Sequence, residues 1–235
     1  MTARTYILAA TPTEPSRLKK FFESGDASVR TLLEHPGQLR YAGWDLQTDD
    51  KARIIRGEYL EVKSGDKKIL HLYEDGTFIV RAAADETFLA WATSKSRDKK
   101  NLRLHPIALI EFTYSFAAFY ARLTPHFETA RRHLNMRVEF QNAIIDDAKL
   151  FLNPGEVGSI TWGFNEDPYF APDPSVKTEI EIKTNRLQQN PARVGYQLIE
   201  KVYVWFGIDP KWIPYTAVDG ENRIIDIAQL GKKKS

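Results

Sequence analysis

Cysteine is entirely absent from this 235-residue sequence. Its absence excludes disulfide bonds, cysteine nucleophiles and thiolate metal sites together. The chain also lacks an uninterrupted apolar run of about 18–20 residues, so we expect no membrane span and no association with a membrane. Its first residues show no basic segment followed by a long apolar stretch, as a secretory signal would. These absences together predict a cytoplasmic protein.

The sequence has almost no excess of either charge. Its 33 Lys and Arg residues nearly balance 31 Asp and Glu residues, which leaves a formal net charge of +2. The pI of about 8.6 is lower than the value above about 9 that is typical of dedicated nucleic-acid-binding domains. A hydrophobic content of 43% and an aromatic content of 12% predict a folded, globular chain rather than a disordered one.

Several common catalytic motifs are missing. The chain contains no G-x-x-x-x-G-K-[ST] or G-x-G-x-x-G phosphate loop, no G-x-S-x-G nucleophile elbow and no H-E-x-x-H zinc motif. Its five histidines are scattered, and the pair best placed to share a helix face, His126 and His133, has no carboxylate at ligand spacing. The sequence therefore predicts neither a bound metal nor a cofactor.

The clearest strand pattern lies between residues 59 and 81. Apolar and polar residues alternate over 59–63, 68–73 and 77–81, and turn residues separate these segments. Asp75 and Gly76 form an Asp-Gly pair, which can supply the positive φ that a tight hairpin needs. The pattern predicts an antiparallel β-meander. Before the meander we expect a strand over 6–10, followed by two short helices, the first beginning at Pro15 and the second capped by Asp26 or Ser28.

A long apolar helix is the second clear element. It begins at Pro106, where proline suits the first turn, and continues to Leu123 with only Glu111 and Arg122 charged. Such a helix belongs in the centre of the core. Strands over 136–140 and 176–184 and an amphipathic helix after residue 191 follow. The predicted fold class is therefore α+β: an antiparallel β-meander with N-terminal helices, then a buried central helix with further strands and a closing C-terminal helix.

Residues 94–101 are polar and basic and predict an exposed linker. This linker would divide the chain into two lobes that contact each other. Residues 1–93 would form an α/β-meander lobe, and residues 102–235 would form an α+β lobe that contains the central helix.

One pattern resembles the core of the PD-(D/E)xK nucleases, in which an acidic residue precedes a strand carrying Glu-x-Lys. Its candidate catalytic residues are Asp49, Asp50, Glu61 and Lys63. Residues i and i+2 of a strand point to the same face, so Glu61 could bind a divalent metal while Lys63 positions water or phosphate. The same Glu-x-Lys pattern recurs at 181–183, however. The alternative interpretation, a solvated face of cross-strand charge pairs, is favoured.

Basic and aromatic residues are the other candidates for function. They form two basic groups and one aromatic pair flanked by prolines: Lys99, Lys100 and Arg103; Arg131 and Arg132; and Tyr169 and Phe170. Basic side chains bind phosphates and aromatic rings stack on bases. Large aromatics in a loop also favour a protein contact, because they need a place to be buried. We therefore expect these residues to bind nucleic acid or a protein partner.

The run from Ile54 to residue 91, followed by the apolar helix from Pro106 to Phe119, resembles a known bacterial arrangement. It is similar to the C-terminal accessory region of bacterial proteins with an N-terminal Schlafen-type, Alba-like ATP-binding domain. The opening residues 7–12 also fit the start of that region, so the resemblance covers about the first 125 residues. It includes no nucleotide-binding motif and places no ATP contact on this chain. It implies an accessory module with a role in sensing or assembly.

The leading functional hypothesis is a non-enzymatic binding module of a bacterial cytoplasmic system, with a role in defence or regulation. Its ligand would be a protein partner or a nucleic acid. The first alternative is a metal-dependent nuclease built on Glu61 and Lys63. The second is a purely structural subunit of a homo-oligomer.

Overall fold

The structure, a computed structural model, describes residues 3–25, 28–40, 43–92, 101–129, 132–153 and 169–232. These residues form a large antiparallel sheet of seven strands, a smaller mixed sheet, a separate hairpin, and helices. The predicted α+β class with a β-meander is confirmed.

The strands are β1 (Thr5–Pro12), β2 (Arg53–Ile55), β3 (Tyr59–Ser64), β4 (Lys68–Tyr73), β5 (Phe78–Ala83), β6 (Ala90–Ala92), β7 (Leu102–Leu104), β8 (His133–Gln141), β9 (Ile144–Ile145), β10 (Ala148–Leu152), β11 (Tyr169–Phe170), β12 (Val176–Lys183), β13 (Thr216–Asp219) and β14 (Asn222–Ile225). The α-helices are α1 (Val29–Glu34), α2 (Pro106–Leu123), α3 (Thr184–Gln189), α4 (Pro191–Trp205) and α5 (Ile227–Lys232). Two short 3-10 helices span Thr124–His126 and Pro210–Trp212.

The large sheet has the strand order β12-β8-β1-β5-β4-β3-β2. Strands β3, β4 and β5 are the predicted meander, and each pairs with the next in antiparallel register. Strand β1 lies in the interior of the sheet, between β5 and β8, and its residues 6–10 are all buried. Because successive side chains point to opposite faces, residues 6–10 are buried on both faces of the sheet, which is why they form an apolar run with little alternation.

Helices α2 and α4 pack together on one face of this sheet. The ring of Phe78 on β5 lies 5.6 Å from that of Phe116 and 4.5 Å from that of Phe119, both on α2. Gly195 lets the two helices approach closely, because a Cβ there would lie 3.3 Å from Tyr114 Cα. The predicted central helix is confirmed. None of the helices in the described ranges combines the length and apolar character needed to cross a bilayer.

The N-terminal helices are only partly as predicted. The second forms as α1, and the Ser28 hydroxyl accepts a hydrogen bond from the Thr31 amide at 3.1 Å. The helix expected from Pro15 does not form: Leu18 makes an isolated antiparallel bridge with Phe127, and Lys20 has a φ of 52°. The amide of Leu18 donates instead to the Glu74 carbonyl at 2.8 Å. Tertiary hydrogen bonds thus replace those of a local helix.

The predicted linker falls almost entirely outside the described residues, which resume at Asn101. Strands from both sides of it pair in the large sheet, since β1 lies between β5 and β8. The buried core likewise includes residues from both sides. The division into lobes at 1–93 and 102–235 stays a prediction, and the lobes would share this sheet and core.

Candidate functional site

The face of the large sheet opposite the core carries the two best-placed residues of the nuclease pattern. We call this surface the open face. Its meander half consists of half-buried or exposed residues of β2 to β5: Arg53, Tyr59, Glu61, Lys63, Ile69, His71, Tyr73, Ile79 and Arg81. Its other half, on β8 and β12, consists of Arg137, Glu139, Lys177, Glu179, Glu181 and Lys183. Strand alternation places these side chains away from the helices.

Glu61 lies at the centre of a polar network on the meander half. Its Oε2 accepts a hydrogen bond from His71 Nε2 at 2.9 Å, and its Oε1 lies 3.2 Å from Lys63 Nζ. The other ring nitrogen of His71, Nδ1, lies 3.2 Å from Arg81 Nη1. Because Arg81 can only donate, these partners assign a neutral His71 with its proton on Nε2. The network therefore links three adjacent strands.

The pKa values of this network follow from burial and from its hydrogen bonds. Burial alone would raise the pKa of Glu61, but hydrogen bonds from His71 and Lys63 outweigh it and lower the pKa. Burial lowers the pKa of His71; the Arg81 charge lowers it further, while Glu61 opposes both. Glu61 is therefore ionised and His71 neutral near neutral pH.

The network does not bring together the full nuclease pattern. Glu61 and Lys63 share a face as predicted, but the largest effects on the pKa of Glu61 come from burial, His71 and Lys63, and neither Asp49 nor Asp50 is among them. Within the described ranges, no three histidine or acidic side chains are grouped so as to hold a metal ion. His71, which sequence reasoning missed, takes the place of a second carboxylate beside Glu61. The β3–β4 register could have identified it, because Glu61 and His71 are directly opposite.

Two tyrosines form an aromatic surface beside this network. Tyr59 and Tyr73 are directly opposite each other in the register of β3 and β4, and their ring centroids are 5.0 Å apart. The Tyr59 ring also lies 4.8 Å from the His71 ring. All three side chains are half-buried. We call these three residues the aromatic platform; rings on an accessible sheet face offer surfaces on which planar groups can stack.

Positive charge is in excess on the same half of the open face. The meander half carries three cations, Arg53, Lys63 and Arg81, and one carboxylate, Glu61. On the β8–β12 half, three cations face three carboxylates, and two of these cations make ion pairs: Arg137 with Glu139 at 3.4 Å and Lys177 with Glu179 at 3.1 Å. The cations that can attract a phosphate backbone are thus concentrated beside the aromatic platform.

The basic residues singled out in the sequence do not form one surface. Lys99, Lys100 and Arg131 lie outside the described residues. Arg103, predicted as a residue that binds nucleic acid or a protein partner, lies on β7 with only 3% of its surface accessible. Burial lowers the pKa of its guanidinium to about 10. Arg132 is exposed and immediately precedes β8.

Tyr169 and Phe170 form the short strand β11 and are exposed by 38% and 39%. They pair with β10, and the Phe170 ring lies 5.6 Å from that of Phe151. Strand β10 follows the C-terminal end of β8, whereas Arg132 precedes its N-terminal end. The nine residues of β8 span roughly 30 Å. Arg132 and the aromatic pair therefore belong to separate surfaces.

A second group of polar side chains is buried beneath the sheet. The sequence did not predict that these residues lie together. The buried polar cluster consists of Arg40, Asp45, Lys68, His105 and Glu111. Arg40 donates to Glu111 Oε2 twice, from Nε at 2.9 Å and from Nη2 at 2.7 Å. Lys68 Nζ donates to the Asp45 backbone carbonyl at 2.5 Å. The segment containing Arg40 and Asp45 is thereby attached to both α2 and β4.

Burial shifts the pKa values of this cluster strongly. It lowers the pKa of Lys68 to about 8 and that of His105 to about 4, and the Arg103 and Arg40 charges contribute to the latter shift. Burial also raises the pKa of Asp45. Such shifts often mark functional sites, but networks of structural ion pairs produce them as well. Because the polar contacts join separate segments of the chain, we interpret this cluster as structural.

Comparisons with protein-family models, curated proteins and solved structures found no match. The resemblance to the accessory region of Schlafen-type proteins therefore stays a prediction from the residues that carry it. Function must be argued from the geometry of the open face.

Proposed function

We propose that the protein is a non-enzymatic module that binds single-stranded nucleic acid on the meander half of its open face. The observation that carries the proposal is the contact of Tyr59 with Tyr73 and His71 on an accessible sheet face, next to an excess of cations. In this arrangement bases stack on the aromatic platform. Arg53, Lys63 and Arg81 contact the phosphates around it.

The geometry favours a single strand over a duplex. Bases in a duplex are already stacked on one another, so their planar faces are closed to protein side chains. An unpaired strand can place its bases flat against the tyrosine rings while its backbone follows the cations. Stacking depends little on base identity, so we expect weak sequence preference and strong dependence on salt.

Glu61 has a supporting role in this proposal. Its carboxylate holds Lys63 and His71 in place, and His71 in turn lies beside Arg81. The network therefore positions two of the phosphate-binding cations and one ring of the platform. Glu61 itself would repel a phosphate, and its bonds to Lys63 and His71 direct it away from this role.

Fluorescence anisotropy with a labelled single-stranded oligonucleotide of about a dozen bases tests the proposal. Replacing both tyrosines by alanine, in Tyr59→Ala/Tyr73→Ala, removes stacking worth about 1–3 kcal/mol for each stacked base, so the loss of even one base contact should weaken binding about 5- to 150-fold. The matched control Tyr59→Phe/Tyr73→Phe keeps the rings and should bind nearly as the unchanged protein does. Equal affinity in the alanine and phenylalanine variants would show that the aromatic platform is not part of the binding site.

A salt titration tests the phosphate contacts separately. Arg81→Gln should reduce the slope of log K against log salt by about 1. Lys177→Gln is the matched control, because Lys177 is an exposed cation of the same sheet face but lies on the β8–β12 half. An equal loss of slope in both variants would indicate diffuse attraction to the whole surface.

The exposed aromatic pair favours a protein contact as a second candidate function. Tyr169 and Phe170 each expose more than a third of their surface on a two-residue strand. Light scattering on the unchanged protein and on Tyr169→Ser/Phe170→Ser distinguishes the possible partners. An oligomer that becomes a monomer in the variant would assign the pair to self-association, the structural-subunit alternative. A monomer in both cases would exclude self-association through Tyr169 and Phe170 and leave a different protein as the partner of this surface.

The cellular setting belongs to the same proposal. The resemblance described above supports an accessory role in a bacterial cytoplasmic system. In such a system the open face would hold a nucleic acid for a larger partner protein that acts on it.

A further inference from the structure

A polar groove lies on the C-terminal part of the molecule, away from the strands of the open face. It is bounded by α4, the 3-10 helix Pro210–Trp212 and the β13–β14 hairpin, and its volume is about 470 Å³. Known small-ligand sites have volumes of roughly 300–1,000 Å³, so a short segment of chain fits this groove.

Some charged groups of the groove pair with each other. Lys211 Nζ lies 2.9 Å from Asp209 Oδ2, and Arg223 Nη1 donates to the Lys211 carbonyl at 3.4 Å. The Tyr196 hydroxyl, on a side chain that is almost fully buried, donates to Glu200 Oε1 at 3.4 Å. Burial raises the pKa of Tyr196, and the charges of Glu200, Arg223 and Asp209 also act on it. These side chains therefore line one groove and interact with each other there.

Other polar groups of the groove have no partner within the described part of the chain. Neither the Arg193 guanidinium nor the Glu221 carboxylate makes a hydrogen bond or ion pair there. Gln197 Oε1 is buried without a hydrogen-bond partner. Buried polar atoms in folded proteins are normally satisfied by protein, water or ligand. The groove thus offers a cation, an anion and a buried acceptor.

An apolar rim accompanies these polar groups. Val204, Trp212 and Val218 are exposed by 53%, 59% and 72%. Val204 follows Glu200 by one helical turn on α4, and Val218 is directly opposite Arg223 in the hairpin. These side chains do not line the groove themselves, but they lie on the three elements that bound it, next to residues that do. The site therefore combines charges of both signs with apolar contact area.

We propose that this groove binds a short peptide segment of a partner protein that carries one acidic and one basic side chain around an apolar one. Arg193 would pair with the acidic side chain, and Glu221 with the basic one. The Gln197 carbonyl would accept a backbone amide of the segment, and Trp212 would cover its apolar side chain. A nucleic acid fits poorly, because three carboxylates line the groove beside its three cations and leave no excess of positive charge to attract phosphates.

An NMR titration of the full chain tests this proposal with defined probes. The probes are the capped peptides acetyl-Glu-Leu-Lys-amide and acetyl-Lys-Leu-Glu-amide, with acetyl-Gln-Leu-Gln-amide as the neutral counterpart. At least one charged probe should shift amides of α4 and the β13–β14 hairpin with a Kd below about 1 mM. Arg193→Gln and Glu221→Gln should each raise that Kd about tenfold, the loss of one charge-assisted contact.

A matched control separates the groove from general surface charge. Lys20→Gln/Glu23→Gln removes an exposed cation and anion, 3.3 Å apart, from another part of the surface and should leave the Kd unchanged. The proposal is overturned if neither charged probe shifts the groove at about 10 mM, or if the neutral probe binds as tightly. Equally tight binding of free glutamate or lysine would overturn the assignment to a peptide. These outcomes are independent of the oligonucleotide experiments, which concern a different surface.

Discussion

The ion pair between Arg40 and Glu111 offers the sharpest quantitative prediction. Their side chains are 5% and 0% exposed, so replacing Glu111 leaves a buried guanidinium without its carboxylate. Breaking a buried pair from one side costs about 3–5 kcal/mol of unfolding free energy. We expect this loss from Glu111→Met and a similar loss from Arg40→Met. The double variant removes both charges and should recover most of the loss, because well-packed apolar pairs are often as stable as the ion pair.

Urea unfolding followed by tryptophan fluorescence measures these free energies by linear extrapolation. Because each single loss is about 3–5 kcal/mol and the double variant recovers most of it, the double-mutant cycle should give a coupling free energy of about 5 kcal/mol or more. The exposed pair of Arg17 and Glu74 is the matched control, because its N–O distance is also 2.7 Å. Replacing either member of that pair should leave the unfolding midpoint unchanged. Additive losses in the buried pair, or equal effects in both pairs, would contradict the argument that burial makes the difference.

Two further predictions concern stability. The pKa of His105 falls from 6.5 to about 4 on folding. At mildly acidic pH, His105 is therefore protonated in the unfolded chain and neutral in the folded chain. The unfolding free energy should therefore drop by about 1–2 kcal/mol from about pH 7 to about pH 5, and His105→Gln should lose less in the same urea experiment. Gly76→Ala should lower the melting temperature more than Gly57→Ala. Both glycines have positive φ, but only at Gly76 would an added Cβ collide with a neighbour, the ring of Phe127. Similar melting temperatures in the two variants would show that Phe127 moves aside.

The sequence predicted the elements whose stabilising contacts are local. The meander between residues 59 and 81 depends on alternation and on turn residues, and both are visible in a short window. The central helix followed in the same way from Pro106 and a long apolar run. Glu111 was visible as one of two charges on that helix, but its partner Arg40 was not, because the two are 71 residues apart.

Long-range contacts account for what the sequence did not predict. Leu18 and Phe21 have helical spacing, yet the amide of Leu18 bonds to Glu74 and both side chains enter the core. Arg103 stands next to a polar stretch, but it belongs to β7, which pairs with β6 and β10 and is buried. The aromatic platform was missed for a related reason. Tyr59 and Tyr73 are brought together only by the register of β3 and β4, which the composition of the chain does not reveal.

Strand β1 lies in the interior of the sheet, and it is translated long before one of the two strands that pair with it. Residues 5–12 leave the ribosome before residues 133–141, which form one of their two neighbouring strands. At about 5–20 residues per second, roughly ten seconds pass before that neighbour exists. During this interval one edge of β1 has unpaired amide and carbonyl groups, which invite pairing with other nascent chains. Growing chains of this protein should therefore depend on chaperones most strongly before β8 has been translated.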